Sequence, residues 1–311
     1  MTETMESRLA PAREGAGDDL PDAPTGLWRE AWRRLLRNRV AVIAGLYILL
    51  ITLAATFAPL VTPYERDAPD FDHTRAAPSI EHPFGTDPLG RDVLTRIIYG
   101  GRVSLGVAFV GALTSMAIGL TYGAVSGYLG GWVDDLMMRF VDVMYGFPML
   151  LFIILTMLVI PPNSGTGLIM VGLFAAIGLV SWPGMARLVR GQFLSLREQD
   201  FVVAARALGA KPVRIITRYL IPNSLGPIIV ALTLSIPSLI LTESTLSFIG
   251  LGVKNPVPSW GGMLADGWRA MRADPHLAVF PALAITVTML AFNFFGDGLR
   301  DALDPTLRGR G

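Results

Sequence analysis

The sequence is organised by long stretches that contain no Asp, Glu, Lys or Arg. They cover residues 40–64, 103–133, 143–186, 219–242 and 277–296. A membrane-spanning helix needs about 20 predominantly apolar residues to cross about 30 Å of hydrocarbon. The third stretch is too long for one crossing, and Pro-Pro-Asn-Ser-Gly at 161–165 interrupts it near its middle. The pattern therefore predicts six spans.

Composition supports a membrane protein. Hydrophobic residues make up 52% of the chain and charged residues 16%, and the mean hydropathy is +0.50. Soluble domains carry about a quarter charged residues. The absence of cysteine excludes disulfides and thiolate metal sites. We predict an all-α integral membrane protein with about six transmembrane helices, located in the cell (inner or plasma) membrane.

The basic residues are distributed unequally between the two sides of such a protein. An even number of spans puts both termini on one side, and Lys and Arg concentrate in cytoplasmic segments. With the N-terminus inside, sixteen basic residues after residue 25 fall in cytoplasmic segments and eight in external loops. Most of the sixteen lie in 29–39 and 187–218. We therefore predict that both termini are cytoplasmic.

These features divide the chain into five parts. The polar N-terminal residues lack the apolar core of a signal peptide, which predicts a disordered cytoplasmic tail. The predicted parts are the tail 1–26, the N-terminal segment and first span 27–62, an extracytoplasmic loop 63–102, a core of five spans 103–298 that includes a cytoplasmic loop 187–222, and a cytoplasmic tail 299–311.

The second span carries a small residue at every fourth position. On a helix this spacing makes one stripe, which lets a neighbouring helix approach closely. Because glycine is common in membrane helices, the pattern is also compatible with a surface that has no packing role. We favour a packing face. Its residues are Gly111, Ser115, Gly119, Gly123 and Gly127.

The cytoplasmic loop 187–222 contains a short amphipathic segment. Phe201, Ala205 and Leu208 fall at i, i+4 and i+7, so a helix over 201–210 would present one apolar edge. Gly209 would end this helix or allow a close turn. Such a helix can dock in the groove of a soluble partner, and it can equally lie on anionic lipid. The physical pattern leaves both interpretations open.

The residues of this loop decide between them by resemblance. Ala204-Ala205, Gly209 and Ile221-Pro222 resemble the EAA loop of binding-protein-dependent ABC permeases. The resemblance implies a coupling helix that docks on a nucleotide-binding subunit, and the implied coupling residues are Phe201, Val203, Ala204, Ala205, Arg206, Leu208, Gly209 and Pro222. The motif has Glu where this chain has Val203, which removes a charge that could pair with the ATPase surface.

Further segments narrow the resemblance. Residues 82–92, 248–253, 258–264 and 299–305 are similar, in order, to segments of the C-type subunits of dipeptide and oligopeptide permeases. The resemblance spans 27–307. It implies a type I ABC importer fold and half of a translocation pathway for peptides or related small solutes. It also implies three kinds of partner: a second homologous permease subunit, two ATP-binding subunits and an extracytoplasmic solute-binding protein. The apolar stretches make the lipid bilayer a further partner, and we expect no nucleic-acid partner.

The chain lacks the residues that ATP chemistry requires. A P-loop needs Lys followed by Ser or Thr, but Pro212 follows Lys211 and Asn255 follows Lys254, and these are the two lysines of the chain. We therefore expect a transport subunit that is not an enzyme, with ATP and Mg²⁺ used by partner subunits. Its three histidines show no ligand spacing, so we expect no bound metal or other cofactor.

Two acidic residues near the apolar stretches are candidates for function. An ionisable group at membrane depth is by default a functional candidate. Glu243 could line the pathway, or it could hydrogen-bond neighbouring hydroxyls at a helix end. Asp142 is expected beside Arg139 at the cytoplasmic interface, in a structural role. The alternative functions are a proton-coupled secondary transporter that uses Glu243 or Asp142, and a membrane scaffold without a pathway.

The topology can be tested directly. A reporter fused after Arg310 should report a cytoplasmic location, and a reporter inserted near Asp72 an external one, because the basic residues concentrate on the side of the termini. Reporters with compartment-dependent activity provide the measurement. If both reporters lie on the same side, the number of spans is wrong.

Overall fold

The structure, a computed structural model, describes residues 27–161 and 164–304. Within these residues the regular elements are helices, apart from one isolated bridge between Thr86 and Asp92. The helices are α1 Leu27–Arg37, α2 Arg39–Thr56, α3 Ala58–Val61, α4 Val93–Leu129, α5 Gly131–Gly146, α6 Met149–Leu158, α7 Thr166–Leu196, α8 Asp200–Ala207, α9 Pro212–Ile215, α10 Ile221–Phe248, α11 Trp260–Arg269 and α12 His276–Leu303. The predicted tail 1–26 lies outside the described residues.

Five helical segments are long and apolar enough to cross a membrane. They are Arg39–Thr56, Val93–Leu129, Gly167–Leu196, Pro212–Phe248 and His276–Leu303. A sixth crossing is formed if α5 and α6 are taken together, although the chain bends by 78° between them. Pro148 precedes α6 at this bend, where its ring disfavours a helical residue before it. The prediction of an all-α protein with about six spans is confirmed.

The helices extend further than the uncharged stretches. α4 begins at Val93, ten residues before the predicted span, because its arginines find partners. Arg102 donates from Nε to the carbonyl oxygen of Ala55 at 2.6 Å and from Nη2 to that of Thr56 at 2.7 Å. These carbonyls end α2, where the helix has no further N–H donors to offer. The charge therefore closes one helix end without interrupting the next helix.

The C-terminal boundary also differs from the predicted one. α12 continues to Leu303, so residues 299–303 of the predicted tail are helical, and residues 305–311 lie outside the described part. At the other end of the 143–186 stretch, α7 continues through Arg187 and Arg190 to Leu196. Charged residues end the apolar stretches in both cases, but the helices do not end with them.

The segment before α4 is held by a buried acid. Asp92 accepts a hydrogen bond from the backbone N–H of Thr95 at 2.7 Å, which caps the N-terminus of α4. Its other oxygen lies 3.0 Å from Nδ1 of the buried His82. In the same segment, a hydrogen bond to Asp70 raises the pKa of the exposed His73 and lowers that of Asp70. The 82–92 motif thus fixes the position at which α4 begins.

α4 and α7 pack closely against each other, and the small-residue stripe lies in their contact. Atoms of α7 leave no space for a side chain at three stripe positions: a Cβ on Gly119 would lie 2.6 Å from Met185 Cβ, one on Gly123 2.4 Å from the carbonyl oxygen of Ala186, and one on Gly127 2.7 Å from Phe193 Cβ. Ser115 Oγ donates to the carbonyl oxygen of Ser181 at 2.9 Å, and Gly111 faces Ile177.

A single methyl group tests this contact. Gly123→Ala should destabilise the folded protein by about 1–3 kcal/mol, the range for overpacking, because its Cβ meets backbone atoms of α7. Gly106→Ala on the same helix is the matched control, since a Cβ there meets nothing within 4 Å. Thermal unfolding of the purified protein in one detergent measures both. Equal unfolding temperatures would contradict a close α4–α7 contact at Gly123.

Candidate functional site

The candidate coupling helix is α8, which follows α7 after a short turn. Gln199 has an extended backbone (φ −74°, ψ 146°) and separates the two helices. Asp200 then starts α8, where a negative charge complements the positive end of the helix dipole. The helix ends at Ala207, earlier than the 201–210 that the sequence predicts.

The two faces of α8 have different surroundings. Val202 is fully buried in a cluster with Phe193 of α7, Ile215 of α9 and Leu220, and Ala205 on the same face is 7% exposed. The three residues of the predicted apolar edge, Phe201, Ala205 and Leu208, therefore do not share one environment. Ala205 packs against its own chain, whereas Phe201 and Leu208 are exposed. Ala205 thus offers little surface to a partner, and its role in coupling stays a prediction.

Gly209 ends the helix with a specific backbone turn. Its φ of +79° lies in the left-handed region, which favours glycine. The N–H of Ala210 donates to the carbonyl oxygen of Ala205, and the N–H of Gly209 to that of Arg206, both at 3.0 Å. This pair of bonds is the Schellman motif, which satisfies the last carbonyls of a helix. The motif glycine thus sets the direction in which the chain leaves α8.

The outward face of α8 forms a small apolar surface, which we call the α8 tip. Leu208 is 88% exposed, and Val203 and Ala204 are exposed beside it. Arg206 and Gly209 are also exposed, so the tip carries one positive charge. An isolated exposed leucine would be unremarkable, but these neighbours form a continuous surface on one short helix. The tip is therefore available to a partner.

Pro222 lies outside α8, in the helix that follows the loop. It lies in the first turn of α10, and because it has no N–H it cannot donate to the preceding turn. Residues Ile216–Leu220 form a π-helical turn there, and Asn223 Nδ2 donates to the carbonyl oxygen of Tyr219 at 2.6 Å. With this turn, the helical segment continues from Pro212 to Phe248. The loop is therefore joined directly to a membrane-spanning helix.

An ionic contact fixes the end of α7 just before α8. Asp134 of α5 is buried and accepts from Nε and Nη2 of Arg190 at 2.5 and 2.6 Å. Ser126 of α4 donates to the same carboxylate. Arg197, at the end of α7, donates to the carbonyl oxygen of Gly127 at 3.3 Å. These contacts tie α4, α5 and α7 together at the base of the loop.

Asp134 and Arg190 were not among the functional residues predicted from the sequence. A signal was present, because these residues flank the two ends of the hairpin predicted from 143–186. Both ends of such a hairpin lie on the same side of the membrane, so opposite charges at its ends can meet. Asp142 and Arg187 flank it even more closely, and they form an ion pair at 2.5 Å. Asp142 was expected beside Arg139, but its ion-pair partner in the structure is Arg187.

Glu243 lies in a cage of hydroxyl groups. Its carboxylate accepts from Ser104 of α4 at 2.8 Å and from Ser247 at 2.7 Å, and its side chain has no exposed surface. The backbone N–H of Trp260 in turn donates to Ser104 at 3.2 Å, which links the cage to α11. This burial does not support the expectation that Glu243 lines a pathway. The geometry instead joins α4, α10 and α11.

Two segments of the chain match known families. Residues 119–309 match the family described as "binding-protein-dependent transport system inner membrane component". Residues 26–78 match the "N-terminal TM domain of oligopeptide transport permease C". The first match covers more than half of the chain and includes α8. The chain belongs to this family. It is therefore a transmembrane permease subunit of an ABC importer of the inner membrane.

Several curated relatives resemble this permease over most of its length. The oligopeptide transport system permease protein OppC of Haemophilus influenzae is 46% identical over 90% of this chain and 88% of the relative. The dipeptide transport system permease protein DppC of Bacillus subtilis is 45% identical over 90% and 86%. The glutathione transport system permease protein GsiD of Pectobacterium atrosepticum is 43% identical over 90% and 92%.

A solved structure has the same fold. The MetNI methionine ABC transporter, in inward-facing conformations, contains a chain that superimposes on the permease with a TM-score of 0.54. The superposition covers 68% of this chain and 97% of the MetNI chain at 18% sequence identity. The prediction of a type I ABC importer permease fold is confirmed.

The Asp134–Arg190 contact gives a quantitative prediction for the permease. Arg190→Ala should destabilise it by roughly 1.5–3 kcal/mol, the range for a lost hydrogen bond to a charged group, because Asp134 would remain buried without its guanidinium. Thermal unfolding measures the change.

The double variant Asp134→Asn with Arg190→Gln provides the control for this prediction. It removes the buried charge together with its partner, so it should unfold at a higher temperature than Arg190→Ala alone. An Arg190→Ala variant as stable as the native permease would show that the contact does not hold α7.

Proposed function

We propose that this permease imports peptides as one of two homologous subunits that form the pathway between them. Two ATP-binding subunits would use ATP and Mg²⁺, and an extracytoplasmic binding protein would deliver the solute. The observation that carries the proposal is the exposed α8 tip on a helix whose opposite face is built into the permease. Such a helix can be gripped by a partner and can transmit its movement.

The composition of the α8 tip indicates the kind of contact. Leu208, Val203 and Ala204 offer apolar area with short side chains, which suits insertion of the helix into a groove of the ATPase. Val203 occupies the position where the motif has Glu. We therefore expect this ATPase contact to depend on apolar packing, with Arg206 as the charge of the tip.

Movement of α8 could be transmitted to two membrane-spanning helices, α7 and α10. Val202 packs between α7 and the segment that leads into α10, in contact with the cluster of Phe193, Ile215 and Leu220. α10 follows without a helix break after the π-helical turn. A displacement of α8 by the ATPase would therefore act on both spans. This arrangement supports a role for α8 in opening and closing the pathway.

The solute class is proposed from the relatives. The three relatives carry the names of oligopeptide, dipeptide and glutathione transport systems. All three solutes are peptides with amide bonds and charged termini. We propose that this permease carries solutes of the same chemical class.

The energy for transport would come from the partner subunits. Neither lysine of the chain is followed by Ser or Thr, so the permease has no P-loop of its own. The two acids considered for proton coupling both have partners in this chain. Glu243 accepts hydrogen bonds from Ser104 and Ser247, and Asp142 forms an ion pair with Arg187. These contacts favour ATP-driven import over a proton-coupled mechanism.

A charge in the α8 tip tests the proposed docking. Ala204→Asp would place a carboxylate in the contact with the ATPase, and desolvating an unpaired charge costs several kcal/mol. The affinity for the ATPase should fall more than about a hundredfold, since each 1.4 kcal/mol is tenfold. Copurification and binding titrations with the ATPase subunits provide the measurement.

Two variants complete this test. Ile80→Asp, at a fully exposed position of the external segment, adds the same charge where an ATPase cannot reach and should leave its binding unchanged. Ala205→Asp should unfold the loop as well as weaken docking, because Ala205 is buried in the permease itself. If Ala204→Asp retains the ATPase and transports normally, the α8 tip is not the docking element.

A further inference from the structure

The N-terminal helix α1 carries two exposed stripes that packing inside the permease does not use. Trp28, Trp32 and Leu36 fall at i, i+4 and i+8, and each side chain is more than half exposed. The other apolar edge of α1, Ala31 and Leu35, is buried in a cluster with Ala302 of α12. The apolar surface of α1 is therefore wider than its contact with α12 requires.

The second stripe is basic. Arg29, Arg33 and Arg37 have the same spacing as the apolar stripe and follow it by one residue, so the two stripes run side by side. All three are exposed, and among the described residues none of them forms an ion pair. Arg34 differs, because it pairs with Glu30 at 2.6 Å. The basic stripe thus presents three positive charges that pair with no acid in the part of the chain that the structure describes.

The orientation of α1 is fixed by its neighbours. Asn38 has a non-helical backbone and caps α2, so α1 and α2 are separate helices. A Cβ on Gly298 of α12 would lie 2.3 Å from Ala41 and 3.4 Å from Leu35, so the α1–α2 junction is seated closely on α12. Ala31 and Leu35 therefore face α12, and the helical spacing puts the basic stripe on the opposite side of α1. Trp28 also lines a cavity that α1 forms with α7, α10 and α12.

The position of α1 identifies the surface that it meets. α1 immediately precedes the first span, on the side that the basic residues mark as cytoplasmic. Tryptophan favours the headgroup level of a bilayer, and arginine near the anionic cytoplasmic leaflet is attracted to lipid phosphates. A helix with adjacent tryptophan and arginine stripes has the pattern of an interfacial helix.

We propose that α1 is a binding surface for anionic phospholipid of the cytoplasmic leaflet. Trp32 and Leu36 enter the boundary between headgroups and acyl chains, and the basic stripe binds the lipid phosphates. Through Ala31 and Leu35, the bound lipid stabilises the cytoplasmic end of α12. The proposal concerns a lipid interaction and is independent of the transported solute.

Lipid titration of the full-length permease tests the proposal. The permease is placed in nanodiscs of phosphatidylcholine with increasing phosphatidylglycerol, and its unfolding temperature and retained lipids, by native mass spectrometry, are measured. The native permease should be stabilised by phosphatidylglycerol. Arg29→Gln/Arg33→Gln/Arg37→Gln should weaken this lipid binding at least tenfold, and the corresponding triple Lys variant should retain it.

Matched controls separate charge from position. Arg75→Gln/Arg269→Gln/Arg272→Gln removes three exposed arginines from the external side and should leave the phosphatidylglycerol effect unchanged. Quenching by brominated phosphatidylglycerol reports depth: Trp32→Phe should lose more of the quenching than Trp268→Phe, which removes an exposed tryptophan of α11.

Three results would overturn the proposal. In the first, the triple Gln variant responds to phosphatidylglycerol like the native permease. In the second, inorganic phosphate alone reproduces the stabilisation, which would identify an ion site. In the third, the native permease does not respond to phosphatidylglycerol but a variant lacking residues 2–25 does, which would identify the acidic N-terminal segment as the occupant of the stripes.

Discussion

The close approach of α4 and α7 is the contact on which the rest of the permease depends. At Gly119, Gly123 and Gly127 the backbone of α4 lies against α7 so closely that no side chain fits between them. This contact sets the position of the end of α7, which Arg190 and Arg197 then tie to α5 and α4. α8 follows after a short turn, so the packing of α4 against α7 sets the direction of the proposed coupling helix.

Hydrophobic patterning predicted the class of fold but not the helix limits. A long stretch without charged residues indicates a membrane-spanning helix, because lipid offers no hydrogen-bond partners to backbone groups or charged side chains. It does not show where the helix begins or ends, because Arg102 lies within α4 and donates to the carbonyls that end α2. The 78° bend between α5 and α6 has a local signal in Pro148. The direction of the bend depends on tertiary contacts that no local pattern contains.

The candidate site was predicted from a sequence motif, and the structure shows which residues of the motif face outward. The motif glycine has the left-handed backbone of a Schellman turn, which a sequence pattern can indicate. Which alanine faces outward could not be predicted, because α8 is amphipathic toward its own chain as well as toward a partner. Val202 fills the interior cluster, and this turns Ala205 inward and Ala204 outward. Glu243 illustrates the same limit, since its serine partner Ser104 is distant in sequence.

The most direct test of ATP-driven import is reconstitution. The permease, its second permease subunit and the ATPase subunits are placed in proteoliposomes with the binding protein outside and ATP inside, and uptake of a labelled peptide is followed. We predict that uptake requires ATP and every subunit, and that an imposed pH gradient cannot replace them. Peptide accumulation by the permease alone under a pH gradient would contradict coupling through α8 and would support a proton-coupled transporter.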